Sequence, residues 1–312
     1  MSGRRGGNTG GGRRGGSGGS GSGGPGDLRG PRRGVGGQRG GGSSSQGGAG
    51  GFSDGHGGGG SGGGGGRPEI DPEKLVYGRH PVREAMRGPR RVHTVHITES
   101  ALRDLGGDDA LRSVDHVNVV EARRLDSLAG TGDHQGVVAE ADRKSIVPID
   151  ELLARAPDGK PALVLALDQI TDPHNLGAIA RVCDAAGATG LLIPEHRSAG
   201  VTGAVCKASA GAIEHIAVAR CVNLADTLER IKSPTLWVYG ASERGLVNYT
   251  DVDLAGPAVL VLGAEGPGIR PRVEKTCDQL ISVPMAGTVA SLNVATVAAI
   301  LAFEAVRQRA GA

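Results

Sequence analysis

Aromatic side chains are scarce in this sequence, with two Phe, three Tyr and one Trp among 312 residues. Recognition by stacking on aromatic faces therefore has few residues to draw on, among them Tyr77, Tyr239 and Tyr249. Cysteine is also sparse. The four thiols, Cys183, Cys206, Cys221 and Cys277, form no C-x-x-C pair and keep no metal-ligand spacing with the nine histidines. A reduced, cytoplasmic protein without a metal site is expected. The N-terminus carries no apolar h-region, and no apolar run reaches the roughly 18 residues that suggest a membrane span. Neither secretion nor membrane insertion is expected.

What is present divides sharply. Up to about Arg67 the chain is about half glycine, with serine and arginine pairs making up most of the rest, so it cannot bury enough apolar surface to offset its backbone entropy. Residues 1–70 are expected to be a disordered tail. It carries nine Arg and two Asp, so the formal net charge of +2 hides a basic tail on an acidic remainder. Arg-Gly-Gly triplets start at Arg5, Arg14 and Arg39. Such an arm can follow nucleic-acid phosphates without reading sequence, or serve as a solubilising linker, and composition accommodates both.

From about Leu75 the composition becomes ordinary. The remaining roughly 240 residues suffice for one or two domains. Residues 74–142 read as a small α/β unit, with helical patterns at 81–86, 108–114 and 121–129 and strands at 92–97 and 136–139. Residues 143–160 are polar and read as a linker around a short helix at 149–155. Beyond them, apolar runs at 162–167, 190–193, 213–219, 236–240 and 258–262 alternate with helical patterns at 176–186, 203–209 and 224–231. That alternation predicts an α/β domain over 161–312 with a mainly parallel sheet. A last strand at 280–283 leads to a C-terminal helix ending near Arg309, with Val294, Val297, Leu301 and Ala305 on one face.

In such sheets ligands sit beyond the carboxyl ends of the strands. Three segments occupy that position. The first, Asp168-Gln-Ile-Thr-Asp172-Pro173-His174-Asn175, closes a strand and can cap the next helix through its Asx side chains, with Arg181 about a turn and a half further on. The second, Leu262-Gly263-Ala-Glu265-Gly266-Pro-Gly268-Ile269, follows the strongest β-run. Its glycines let a backbone approach a ligand, and Glu265 suits either a polar ligand group or a turn cap. It lacks the G-x-G-x-x-G spacing of a dinucleotide site. The third runs from Val283-Pro-Met285-Ala-Gly287 to Ser291-Leu292-Asn293, where Ser291 reads as the N-cap of the last helix and Asn293 as part of its first turn.

In this order, each at the end of an apolar run, the three segments resemble the signature motifs of the SpoU/TrmH family (SPOUT class) of RNA ribose 2′-O-methyltransferases. The likeness extends from about Tyr77 to the C-terminus. Tyr77-Gly-Arg-His-Pro-Val82 and His134-Gln-Gly-Val-Val-Ala139 resemble the two ends of the substrate-binding domain of the 23S rRNA guanosine-2′-O-methyltransferase subgroup. The resemblance implies a trefoil-knotted catalytic domain behind a ribosomal-protein-L30e-like domain, and a homodimer. It also implies S-adenosyl-L-methionine as methyl donor, held by Leu262, Gly263, Val283, Met285, Gly287 and Leu292. Asn175, Arg181, Glu265, Ser291 and Asn293 are the implied catalytic residues.

The implied activity is methyl transfer to a ribose 2′-hydroxyl of structured RNA. A guanosine of 23S rRNA is favoured by the small domain in front, and tRNA is the alternative. A non-catalytic RNA-binding or ribosome-assembly protein is a further reading, opposed by the intact polar set. With so few aromatics, recognition by shape and phosphates is expected over base stacking. The residue that removes the hydroxyl proton stays open between Arg181, whose guanidinium normally remains protonated, and Glu265.

Overall fold

Continuous apolar runs such as Leu163-Val-Leu-Ala-Leu167 offer no polar face to water, so strands built from them need cover on both sides. The computed structural model describes residues 70–105, 109–156, 159–289 and 291–311. The glycine-rich tail expected over 1–70 lies, but for its last residue, outside them. Within the described residues the chain forms two sheets.

The smaller sheet comes from β1 (Leu75–Tyr77), α1 (Arg79–Arg87), β2 (Val92–Ile97), α2 (Glu99–Leu105), β3 (His116–Val119), α3 (Ala122–Ala129) and β4 (Val137–Ala141). Its strand order is β1-β4-β2-β3, with β4 antiparallel to both neighbours and β2 parallel to β3. Hydrophobic periodicity passed over β1, β3 and α2. All three are short, and β3 lies at the edge with every residue exposed, so burial leaves no pattern in its sequence. The helix expected at 108–114 is a 3-10 turn, Asp109–Ser113.

The larger sheet follows α4 (Ile149–Ala154). It contains β5 (Leu163–Asp168), α5 (Pro173–Ala185), β6 (Gly190–Pro194), α6 (Gly203–Ala208), β7 (Ala217–Cys221), α7 (Leu224–Ile231) and β8 (Trp237–Ala241). Next come β9 (Val247–Asn248), β10 (Ala258–Gly263), α8 (Pro271–Thr276), β11 (Gln279–Ser282) and α9 (Val294–Ala310). The order is β7-β6-β5-β10-β8-β11-β9, and every pairing is parallel. Mostly parallel α/β architecture is thus the fold. Strand alternation divides the core. Leu163, Leu165, Leu167, Leu260 and Leu262 face α5, α6 and α9, whereas Val164, Ala166, Val259 and Val261 face α4, α7 and α8.

Two stretches differ from the sequence reading. Of the apolar run 213–219 only 217–219 is extended, in a strand that continues to Cys221, because Ala212–Glu214 turns as a 3-10 helix that buries Glu214 completely. In the stretch 143–160, read as a linker around a short helix, the helix is present as α4 and the difference lies in packing: Ile149 and Leu152 are buried, and Val147 bridges in parallel to Ala219. Register then matters for the site. Gly263 pairs with Asp168, so β10 and β5 end level, and the chain leaves them in opposite directions along the sheet. A crevice at the carboxyl edge is the consequence.

Candidate active site

Asp168 ends β5 fully buried, and a buried carboxylate needs strong partners. Arg270 supplies them: its backbone N–H donates to Oδ2 and its Nε to Oδ1, both at 2.8 Å, and Nη2 lies 2.7 Å from Oδ1. This bolts the far end of the β10 loop to the end of β5. Inside the loop, Gly268 N–H donates to Ala264 O at 2.9 Å, and Gly266 and Gly268 take φ of +81° and +70°. A Cβ on Gly263 would stand 2.2 Å from the carbonyl carbon of Gly268 and 2.3 Å from the nitrogen of Ile269. Closure of the loop on itself therefore requires glycine there.

Pro173 opens α5 with a preset φ and no N–H to leave unpaired. Asp172 caps it by accepting from His174 N–H at 2.9 Å. With that cap supplied, Asn175 is free inside the first turn, and its Nδ2 donates to Glu265 Oε1 at 3.1 Å. The expected capping role of Ser291 is corrected. Asn293 is the N-cap of α9, its Oδ1 accepting from Ala295 N–H at 2.8 Å, and Ser291 lies two residues ahead of it. Because Oδ1 faces the helix, Nδ2 faces away and donates to Glu265 Oε1 at 2.7 Å and to Asn175 Oδ1 at 2.9 Å. One side chain from each of the three segments thus meets in a closed hydrogen-bonded triad around the Glu265 carboxylate. Glu265 is no turn cap, and its Oε2 has no hydrogen bond among the described residues.

Beside the triad is a cavity of about 440 Å³, within the usual range of small-molecule sites. Leu262, Gly263, Val283, Met285 and Leu292 line it, and Glu265, Ser291 and Asn293 stand on its wall. Gly287 and Arg181 do not line it, and Asn175 reaches it through Glu265 and Asn293. Arg181 is exposed on α5 with no hydrogen bond or ion pair among the described residues. Motif reading missed the loop after β8, where Ser242, Glu243 and Arg244 add polar groups to the wall. The rule that ligands gather beyond parallel strands, applied to the run 236–240, would have found it. No cluster of three metal-ligating side chains occurs among the described residues.

Residues 162–303 match the SpoU rRNA methylase family, and residues 75–147 match the family described as RNA 2′-O ribose methyltransferase substrate binding. The 23S rRNA (guanosine-2′-O-)-methyltransferase RlmB of Ralstonia nicotianae is 42% identical over 243 residues, covering 76% of this chain and 96% of the relative. The chain belongs to the SpoU methyltransferase family. RlmB of Pseudomonas syringae pv. tomato is 41% identical over 246 residues, covering 75% of this chain and 95% of the relative.

Among solved SpoU structures, the methyltransferase AviRb from Streptomyces viridochromogenes in complex with AdoMet is 28% identical, with a TM-score of 0.64. It covers 76% of this chain and 90% of its own. An AdoMet-bound rRNA methyltransferase from Sinorhizobium meliloti is 25% identical with a TM-score of 0.62, covering 75% and 86%. Both SpoU family matches fall on sheets described above: the methylase match spans β5 to most of α9, and the substrate-binding match spans the smaller sheet.

Proposed function

We propose that this SpoU protein transfers a methyl group from S-adenosyl-L-methionine to the ribose 2′-hydroxyl of a guanosine in 23S rRNA. The observation that carries the reading is the triad of Asn175, Glu265 and Asn293 on the wall of a cavity of cofactor size whose lining mixes apolar and polar groups. Donor chemistry fits that cavity: Leu262, Val283, Met285 and Leu292 offer apolar surface to a purine and an aliphatic chain, and backbone groups around Gly263 offer hydrogen bonds. When bound, the donor supplies an electrophilic methyl on a sulfonium sulfur. Everything else falls to the chain.

A ribose hydroxyl is a weak nucleophile until its proton is shared, and alignment supplies much of the rate. Two amide donors hold Glu265 Oε1 still, and Oε2 can accept the hydroxyl proton as the new C–O bond forms. The Arg181 guanidinium acts on the phosphate beside the target ribose and on negative charge growing at the oxygen. Ser291 completes the polar wall. RNA binding belongs to the smaller sheet, read as the L30e-like substrate-binding domain, with the Gly/Arg tail as an auxiliary arm.

A trefoil knot is part of the same reading. Strand β11 lies between β8 and β9 although it follows both in sequence, and a Cβ on Gly245, in the β8–β9 loop, would approach the Ile281 backbone to 2.7 Å. Support for a homodimer comes from exposed apolar side chains near the cavity and on α9, Leu246, Val289 and Phe303, with unpartnered Arg181 on the helix packed against α9. The place of action is the cytoplasm, where rRNA is found. No described helix is long and apolar enough to cross a membrane.

The test is incubation of purified protein with labelled S-adenosylmethionine and either 23S rRNA or tRNA, followed by mapping of ribose methylation. Label on a guanosine ribose of 23S rRNA is expected. Label confined to tRNA would change the substrate, and label on a base, or none on any RNA, would overturn the reaction.

A further inference from the structure

At the junction of the two sheets lies a second carboxylate, Glu214, entirely buried in the 3-10 turn after α6. Its Oε1 receives Arg90 Nη1 at 3.3 Å and Cys206 Sγ at 3.4 Å, and its Oε2 has no hydrogen-bond partner. Arg90, between α1 and β2, is itself buried, and its Nε donates to Asp142 O at 2.7 Å and Nη2 to Glu73 O at 3.1 Å. Glu73 precedes the first strand of the smaller sheet and Asp142 follows its last. One guanidinium therefore ties both chain ends of the smaller sheet to a carboxylate of the larger unit.

The surroundings close tightly on this pair. Lys144 Nζ donates to Glu214 O at 2.7 Å, Arg220 pairs with Glu73 at 2.9 Å and His215 meets Glu84 at 2.8 Å. A Cβ on Gly203 at the start of α6 would stand 2.6 Å from the Tyr77 ring. Val76 and Val82 share a hydrophobic cluster with Val205 and Ile213.

Apolar residues of similar volume would stabilise such a junction as well as a buried ion pair does, and an unpaired carboxylate oxygen adds a cost. What the pair contributes beyond packing is direction. A guanidinium with its three donor sites committed is satisfied in one relative placement of the two sheets, whereas apolar surfaces can slide.

We propose that Arg90 and Glu214 are positioning residues that hold the RNA-gripping sheet at one fixed offset from the methyl-transfer cavity. RNA held by the smaller sheet then presents one ribose to the Glu265 triad and not its neighbours. This rests on the functional reading above.

The test uses the full chain and the variant Arg90→Met/Glu214→Leu, which replaces the pair by apolar volume. Spin labels on exposed positions of each sheet, Val119→Cys and Glu229→Cys, diluted with unlabelled protein, report the distance between the sheets. Expected are one narrow distance distribution in the parent and a broad one in the double variant. The variant should also show an approximately tenfold higher KM for 23S rRNA, unchanged kcat and donor affinity, and methyl groups on neighbouring nucleotides. Where the double variant fails to fold, Arg90→Lys, which keeps the charge and loses the fork, is read in the same way. A broad distribution in the parent, or an unchanged KM and single target in the variants, overturns the proposal. Absence of any RNA methylation by the parent would sink the functional reading alone, and the distance distribution would still decide whether the sheets are locked.

Discussion

Two glutamates in this protein are each held by several donors, with opposite consequences. Glu265 is exposed on a cavity wall and held by two neutral amides, with one oxygen left for another molecule. Glu214 is sealed between two sheets and matched by a cation. In the proposed function, the carboxylate that acts on a substrate stays in reach of solvent and free of a permanent counter-charge. One meant to hold structure gives up access, and burial makes the loss of its partner expensive.

The largest effect that would break this contrast is on turnover. Glu265→Gln keeps the shape, and its carbonyl oxygen can still accept from both amides, but it takes no proton, so kcat should fall about 10²- to 10⁴-fold with donor affinity preserved, read by steady-state methylation and calorimetry. A variant with normal kcat would remove Glu265 from the proton path. Glu214→Ala should behave the other way. It leaves the Arg90 charge buried without a carboxylate and should cost about 3–5 kcal/mol of stability in denaturant unfolding, while folded enzyme keeps its kcat.

A third measurement uses pH to sharpen the junction side of the comparison. Burial, and then the adjacent Glu214 charge, push the Cys206 thiol well above its ordinary value. The folded protein therefore keeps a proton that the unfolded chain releases above about pH 8.5, so this contribution is intact below that pH and is lost at about 1.4 kcal/mol per pH unit above it. Burial raises Cys277 similarly, to about 12, so its share is lost between the free-thiol value and that pH. Burial moves Lys144 in the opposite direction, below the ordinary lysine value, and its contribution grows as pH rises toward that value. Cys206→Ala should flatten the alkaline fall in the unfolding free energy. An unchanged slope would show that the thiol is not sealed.

The smallest expected effect is local. Asp172→Ala removes the α5 cap and should cost about 1 kcal/mol in stability, with a modest loss of kcat as Asn175 loses its support. A larger fall in kcat than in stability would give Asp172 a part in the site itself.

Legibility in the sequence followed the range of the interaction. The strands of the larger sheet were readable because burial on both faces demands unbroken apolar runs, and the Asp172 cap was readable because it spans two residues. Position alone put the α9 cap at Ser291 where the structure has Asn293, since either oxygen can serve a helix start. The short exposed strand β3 left no trace for the same reason that long buried strands leave a clear one.

Composition and motif order were enough to place this chain in its family, because apolar alternation and loop chemistry are local properties that each segment carries by itself. The convergence of Asn175, Glu265 and Asn293 was decided only by the tertiary structure. Their bonds cross 90, 28 and 118 residues and exist because parallel pairing makes β5 and β10 end level. The same holds for Arg90 and Glu214, 124 residues apart, whose meaning as a pair appears only when two sheets close around them.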